Sequence, residues 1–442
     1  MRMATTNRWN KLDNAAKIFP SADSKAETQV YRLSCELVSP IDEKLLSKAL
    51  RETIQIFDVY QYVMKHGLFW YYLEHSDIEP VVRQEYKPPC APLYNRNETG
   101  LLYEVTYYQN RINLEVYHVL SDGTGAMRFM QTLIIKYLTL VCGIEEPPLP
   151  FDASQAQMEN DSFQKYYDDE QKKQKQRFKK AYSLSGFTYP ENRLGIITGR
   201  ANVKQALAAA HACNTTLTGF LCACLIDAIG SELSTRAKKR PVILSVPVNL
   251  RKYFPSESAR NFFGLVYVEY DFSKEDGSFQ SIVEKVRADL KNNLSAEKLA
   301  NSINNYSAVE NNFFARIAPL AMKDFCLGIA YQASMKRSTA AVSNVGVVEM
   351  PLSLREQICA FDLYSATNRM QACICSYQDT LSISFTAPYI STDIQRAFFR
   401  HLTARGVEVE ILANQPDKAV DASERPRKKK QKVKKPKEAA EK

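Results

Sequence analysis

Two distant stretches of the sequence follow the same order of hairpin, loop and helix. In the first, LLYEVTYY and INLEVYH lie on either side of residues 109–111 and precede the helical pattern AMRFMQTLIIKYL. In the second, QACICSY and LSISFTA lie on either side of residues 378–380 and precede STDIQRAFFRHL, whose first residues favour a helix N-terminus. A chain that builds this unit twice is expected to form two diverged α/β units in tandem, with mixed sheets flanked by helices.

The stretch from residue 145 to about 190 separates the two units. EEPPLP interrupts the apolar pattern, and MENDSFQKYYDDEQKKQKQRFKKAY is polar with charges of both signs, which is typical of an exposed helix. We therefore expect a first unit over residues 1–185, including this connecting helix, and a second unit over 186–415. Within the second unit, periodicity predicts helices near 278–293 and 312–336.

The net charge of +9 is concentrated at the C-terminus. Residues 425–442 hold ten Lys or Arg and two Glu, so 48 of the 58 basic and 47 of the 49 acidic residues remain elsewhere. Since the folded part is nearly neutral, its charge gives no reason to expect nucleic-acid binding. Residues 416–442 have almost no apolar content, and we expect a disordered Lys-rich tail that could contact a polyanion only weakly.

The cysteines indicate a reducing environment. The ten cysteines include no CxxC pair, and several, such as those in GFLCACLIDAIG, lie in apolar runs typical of buried thiols. The N-terminus MRMATTNRWN has no apolar signal core, and no apolar run reaches the roughly 20 residues of a membrane span. We therefore expect a cytoplasmic protein without a metal site on its cysteines.

One histidine occupies a position suited to chemistry. His118 ends a strand pattern and shares a face with apolar Val116, and the chain then turns at Asp122 and Gly123 into a helix. A group that titrates near neutrality, four residues before an acid, predicts a general base with an orienting carboxylate. A buried structural His118 is the alternative, and Asp122 with Thr124 could form a helix cap in either case. A phosphate loop at DGTG lacks the lysine of a P-loop.

The remaining histidines are expected to be structural or surface residues. No partner lies at a useful spacing in the sequence from any of the four, which are His66, His75, His211 and His401.

The sequence His118-x-x-x-Asp122-Gly123 resembles the HxxxDG motif of a superfamily that includes chloramphenicol acetyltransferase, condensation domains, BAHD enzymes and alcohol acetyltransferases. The resemblance extends from about residue 8 to 412. LDNAAKIFP and SVPVNLRKYFPSESARNFFGLVY resemble the alcohol-acetyltransferase-like branch, and SNVG at 343–346 resembles a recurrent segment of the superfamily. This resemblance implies two chloramphenicol-acetyltransferase-like subdomains, with the histidine at their interface in a tunnel.

The function implied by the resemblance is transfer of an acetyl or short acyl group from acyl-CoA to a small alcohol or amine. It implies that His118 is the general base, that Asp122 is structural and pairs with an arginine, for which Arg251 is the candidate, and that Gly123 lets the backbone approach the thioester. Further candidates for channel or loop support are Asn249, Ser343 and Asn344. Acyl-CoA or a phosphopantetheine thioester would be a co-substrate, and we expect no permanently bound cofactor, no metal and a monomer.

The sequence departs from the patterns of two branches of this superfamily, and these departures favour one reaction over another. Condensation domains usually carry a second histidine where this chain has Tyr117, and the DFGWG signature of BAHD enzymes is absent. O-Acylation is therefore favoured over peptide-bond synthesis. The alternatives are a condensation-type transfer from the phosphopantetheine of a carrier protein, and a non-catalytic binding protein with the same fold.

Overall fold

A computed structural model describes the backbone of residues 8–168, 179–311 and 317–414, and their side chains except at 305–311. The predicted tail at 416–442 lies outside the described residues. The strands are β1 (Trp9–Lys11), β2 (Val30–Leu37), β3 (Tyr62–His66), β4 (Tyr71–His75), β5 (Val82–Gln84), β6 (Tyr103–Tyr108), β7 (Arg111–Tyr117), β8 (Gly195–Asn202), β9 (Val242–Asn249), β10 (Phe263–Tyr270), β11 (Ala340–Val347), β12 (Ile358–Ser365), β13 (Gln371–Tyr377), β14 (Thr380–Ala387) and β15 (Val409–Ala413).

Most of the longer helices pack against these strands. They are α1 (Phe19–Ala22), α2 (Glu43–Ile56), α3 (Gly123–Cys142), α4 (Gln155–Glu159), α5 (Ser162–Lys165), α6 (Val203–Ala212), α7 (Leu217–Ser231), α8 (Phe279–Asn293), α9 (Ala296–Asn311), α10 (Leu320–Met335) and α11 (Asp393–Thr403). The mixed α/β class expected from the sequence is confirmed.

The described strands form three sheets. A seven-stranded sheet in the second half has the order β10-β9-β11-β13-β14-β8-β15, and a five-stranded sheet in the first half has the order β12-β2-β7-β6-β5. A smaller sheet has the order β1-β4-β3. Strand β12 belongs to the second half of the chain but pairs antiparallel with β2, with Phe361 opposite Cys35. The two halves therefore share a sheet, and the boundary at residues 185 and 186 stays a prediction.

Both predicted hairpins are present. Strands β6 and β7 are joined by a two-residue loop, as are β13 and β14. The first loop residue, Gln109 or Gln378, has a positive φ near 50°, as tight hairpin turns require. Helix α3 follows the first hairpin and α11 follows the second. His118 comes directly after β7, whereas the corresponding strand of the second hairpin ends at Ala387.

One expectation about the helices is wrong for the described residues. The long exposed connecting helix is replaced there by the short helices α4 and α5, because the apolar side chains of Met158 and Phe163 are buried. The helix expected over residues 312–336 is present as α10 from Leu320 to Met335, and residues 312–316 lie outside the described residues. Helix α9 was not predicted.

Buried apolar residues form one large cluster in each half. Helix α3 carries much of the first cluster, with Phe129 and Met130 fully buried. Helix α7 carries much of the second, including Cys222 and Cys224. All ten cysteines lie in the described residues and are free thiols. In the same residues, no single helix is long and apolar enough to cross a membrane, and only α6 and α7 together, which meet at a bend of 79°, reach such a length and composition.

Candidate active site

His118 lies where the two halves of the chain meet. Its backbone N–H donates to the carbonyl of Gln29 at 2.8 Å, which fixes the residue at the end of β7. Its ring lies 4.6 Å from the ring of Phe19, 5.0 Å from that of Tyr31 and 5.5 Å from that of Phe263, measured between centroids. Because Phe263 belongs to β10, both halves of the chain enclose the imidazole.

This enclosure keeps the imidazole neutral. Burial lowers the pKa of His118 below the usual 6.5, and the nearby Asp122 carboxylate offsets only part of that effect. The ring atom Nδ1 lies 3.0 Å from Oδ1 of Asn261. A neutral imidazole with one nitrogen already hydrogen-bonded leaves the other nitrogen for a substrate proton.

Asp122 uses both carboxylate oxygens to hold the backbone around His118. Its Oδ1 accepts the N–H groups of Thr124 at 3.1 Å and Gly125 at 3.0 Å, so it is the N-cap of α3. Its Oδ2 accepts the backbone N–H of Phe262 at 2.8 Å and Nη1 of Arg251 at 2.7 Å. With four donors on one carboxylate, Asp122 is placed for a structural role.

The structure brings Arg251 and Asp122 together, as the resemblance implied. Both side chains are nearly inaccessible, at 6% and 7% exposure. Arg251 also donates to the carbonyls of Ser258 and Arg260. The guanidinium thus connects the start of α3 to the loop before β10. Removing one partner of such an enclosed pair strongly destabilises the folded protein, because the other charge stays buried without compensation.

A cavity of about 560 Å³ opens beside His118. Its wall includes most of the residues singled out in the sequence, namely His118, Asp122, Gly123, Asn249, Ser343 and Asn344. Apolar residues from three strands and a helix line the same space, including Val246, Val248, Phe263, Leu290 and Val345. Its size and mixed lining suit an organic ligand rather than an ion.

The channel candidates also have structural roles. Asn344 donates from Nδ2 to Oγ1 of Thr218 and accepts the N–H of Gly346 at a bulge in β11. Asn249 accepts the backbone N–H of Arg251 through Oδ1. A Cβ atom added at Gly123 would lie 3.2 Å from Cγ1 of Val345, so the cavity wall is tight at this point. These residues therefore fix the shape of the cavity as well as lining it.

Sequence reasoning missed two residues that the site depends on. Asn261 lies in ARNFFG, a segment noted only for its resemblance, and its contact with His118 spans 143 positions of the chain. Gly125 follows the motif directly, and a Cβ atom there would lie 2.0 Å from the carbonyl oxygen of Ala259. Position 125 therefore accepts no side chain, and the two glycines of DGTG could have suggested this from the sequence. No comparable signal in the sequence marks Asn261.

Two of the remaining histidines lie beside aspartates. His75 Nε2 lies 3.1 Å from Asp58, and His401 Nε2 lies 3.3 Å from Asp227. Neither histidine lines the cavity beside His118. Among the residues that the structure describes, no group of three or more His, Cys, Asp or Glu side chains could hold a metal ion.

Comparisons with known proteins gave matches at the level of structure. No family model matches the sequence, and no curated protein matches it. The TRI3 trichothecene 15-O-acetyltransferase of Fusarium sporotrichioides is similar in structure, with a TM-score of 0.60 and 9% identity over 92% of this chain and 96% of that chain.

Two further solved structures are similar over nearly their whole length. F. graminearum TRI101, complexed with coenzyme A and T-2 mycotoxin, has a TM-score of 0.62 and 8% identity over 91% of this chain and 99% of that chain. The first condensation domain of the calcium-dependent antibiotic synthetase has a TM-score of 0.58 and 15% identity over 92% of this chain and 100% of that chain. The fold expected from the HxxxDG resemblance is therefore confirmed: the chain has the chloramphenicol-acetyltransferase-like fold of these acetyltransferases and condensation domains.

Proposed function

We propose that the chain is a CoA-dependent O-acyltransferase that moves an acetyl or short acyl group to a small alcohol. The observation that carries this proposal is the neutral His118 imidazole at the wall of a 560 Å³ cavity. Asp122, the acid of the motif, accepts hydrogen bonds from Arg251 and from the backbone N–H of Phe262, so it does not compete with His118 for the acceptor proton. TRI101, which has the same fold, is complexed with coenzyme A and a small molecule, and this pair of ligands supports the proposal.

The chemistry is a direct transfer with balanced proton movements. The acceptor hydroxyl oxygen attacks the thioester carbonyl carbon while His118 takes the hydroxyl proton. The tetrahedral adduct then collapses, the C–S bond breaks, and the imidazolium returns the proton to the departing thiolate. The products are an ester and free CoA thiol, and His118 is again neutral.

Charge at the cavity supports CoA as the donor. Three exposed cationic side chains, Lys252, Arg287 and Lys291, line the same cavity as His118. CoA carries a pyrophosphate and a 3′-phosphate, whereas the arm of a carrier protein has a single phosphodiester. Three cations in one place therefore match the nucleotide end of CoA better than the carrier arm.

Reversing this charge is expected to weaken donor binding without slowing the chemistry. Lys252→Glu and Lys291→Glu should each raise KM for acetyl-CoA about tenfold, because one ion pair with phosphate becomes a repulsion of about 1 kcal/mol or more. KM for acetyl-pantetheine, which lacks the nucleotide phosphates, should not change. Lys48→Glu, on the exposed face of α2, is the matched control. An equal rise of KM for both donors would contradict this placement of the phosphates.

The activity itself is tested by thiol release from acyl-CoA donors of increasing chain length with a pool of small alcohols and amines. We expect thiol release that depends on the acceptor, with an ester product detected by mass spectrometry. Release only from acylated carrier proteins would favour the condensation-type alternative. Saturable binding of acyl-CoA without turnover of any acceptor would favour a binding protein.

The proposal also covers the oligomeric state, the compartment and the acceptor of the enzyme. We propose a monomer in the cytoplasm, and the ten free thiols support a reducing compartment. An alcohol is preferred to an amine because a neutral histidine must remove a proton from a hydroxyl as it attacks, while many amines attack unprotonated and need less assistance.

A further inference from the structure

We propose that Asn261 and Asp13 act as positioning residues that hold His118 in the tautomer with the proton on Nδ1 and the lone pair on Nε2. This inference rests on the proposed function, in which Nε2 takes the acceptor proton. It follows from a chain of contacts that joins three distant segments of the sequence.

The partners of Asn261 determine which way its amide points. The group assigned as Nδ2 lies 3.1 Å from Oδ2 of Asp13 and 3.0 Å from the backbone carbonyl oxygen of His118, with that of Val119 at 3.4 Å. All three are acceptors, so only the amide NH2 can face them. The carbonyl Oδ1 of Asn261 must then face the His118 ring, at 3.0 Å from Nδ1.

This orientation selects the histidine tautomer. Oδ1 of Asn261 can only accept, so Nδ1 of His118 must carry the proton that it receives. In a neutral imidazole the other nitrogen, Nε2, then has the free lone pair that a general base requires. The lowered pKa of His118 keeps the ring in this neutral form at neutral pH.

Asp13 anchors the orientation of Asn261. Its side chain is fully buried, with Oδ1 accepting the N–H of Ala16 at 2.8 Å and Oδ2 accepting Nδ2 of Asn261. Arg260 Nε lies 3.8 Å from Oδ2. Burial raises the pKa of Asp13 to about 6, and the Arg260 guanidinium opposes the rise, so the carboxylate is an acceptor at neutral pH and above.

A conservative change at position 13 should therefore alter the tautomer equilibrium of His118. In Asp13→Asn, one amide oxygen would still accept from Ala16, and the NH2 would face the NH2 of Asn261. The backbone carbonyls of His118 and Val119 oppose rotation of the Asn261 amide, so this contact between donors displaces the Asn261 side chain instead. The contact between Oδ1 of Asn261 and Nδ1 of His118 is then weakened, and the tautomer with the proton on Nε2, which blocks the base, gains population.

The test combines a spectrum of the resting protein with kinetics. The protein has five histidines, and selective ¹⁵N labelling, with His118→Gln used for assignment, gives the ring-nitrogen shifts of His118. We expect a protonated Nδ1 and an unprotonated Nε2 in the wild type. Asn261→Ala and Asp13→Asn should shift the population toward protonated Nε2 and lower kcat about tenfold to a hundredfold, with KM for both substrates within a few fold.

Asn10→Ala is the matched control, since Asn10 lies in the same N-terminal segment but donates to Glu159. It should leave both the ring shifts and kcat unchanged. A wild-type His118 with the proton on Nε2 would overturn the inference, even if both variants failed to fold. Folded variants with unchanged shifts and kcat would do the same. Absence of turnover with every donor would instead contradict the proposed function and leave the tautomer measurement valid.

Discussion

His118→Ala is expected to lower kcat by about a hundredfold to ten-thousandfold, or about 3 to 5 kcal/mol of activation free energy. The reason is that the acceptor proton then has to pass to water rather than to a positioned nitrogen. The affinity for acyl-CoA should stay within a few fold, because the cationic residues proposed to hold its phosphates are untouched. Acceptor-dependent thiol release and calorimetric binding of acyl-CoA measure the two quantities.

The pH profile of the wild type gives an independent readout. Since burial lowers the pKa of His118, the base form persists below pH 6.5, and kcat/KM should fall only at a more acidic pH. The same shift affects stability with a defined sign. Protonation favours the unfolded chain, so the contribution of His118 to stability is fully present above the unfolded pKa near 6.5 and is lost as the pH falls through the lower pKa of the folded state.

His211→Ala is the control for this experiment, because His211 is an exposed histidine on α6. It should leave turnover and its pH dependence unchanged. Near-wild-type turnover of His118→Ala with the true acceptor would contradict the mechanism and favour the binding-protein alternative.

The second large effect is expected at the buried pair of Asp122 and Arg251. Arg251→Ala leaves the Asp122 carboxylate enclosed without its cation and removes the donors to the carbonyls of Ser258 and Arg260. We expect a loss of about 3 to 5 kcal/mol in the free energy of unfolding. Asp122→Asn should lower stability and activity together, because it loosens both α3 and the loop that carries Asn261.

A double-mutant cycle measures the coupling of the two side chains. Urea unfolding of Asp122→Asn, Arg251→Ala and the double variant should show a loss in the double variant well below the sum of the single losses. The ion pair between Arg128 and Glu257, where the glutamate is 43% exposed, is the matched control and should contribute about 1 kcal/mol or less. Additive losses for the buried pair would contradict the structural role given to Asp122.

The local parts of this structure could be predicted from the sequence. The two hairpins and the helices after them follow from the alternation of apolar residues, so the local structure around His118 could be predicted. Each loop is one residue shorter than expected, because Arg111 and Thr380 pair within their strands. The short helices of the connecting segment could not be predicted in this way. A segment with charges of both signs fits an exposed helix equally well whether or not Phe163 is buried.

The contacts that complete the site could not be predicted in this way. Asp13, His118 and Asn261 come together through tertiary packing, at separations of 143 and 248 residues for the two contacts of Asn261. No periodicity or cap signal links such positions. Arg251 could be identified only through the resemblance, which specifies an arginine partner for the motif acid.

The pairing of β12, from the second half of the chain, with β2 of the first half has a consequence for folding during synthesis. Strand β2 is complete once residue 37 has been synthesised, but its neighbour β12 ends at residue 365. On the ribosome, one edge of β2 therefore has no partner until most of the chain has been translated, and an open edge is a template for wrong pairing. Pairing across such a separation also slows the last step of folding. The five-stranded sheet is therefore completed only after residue 365 has been translated.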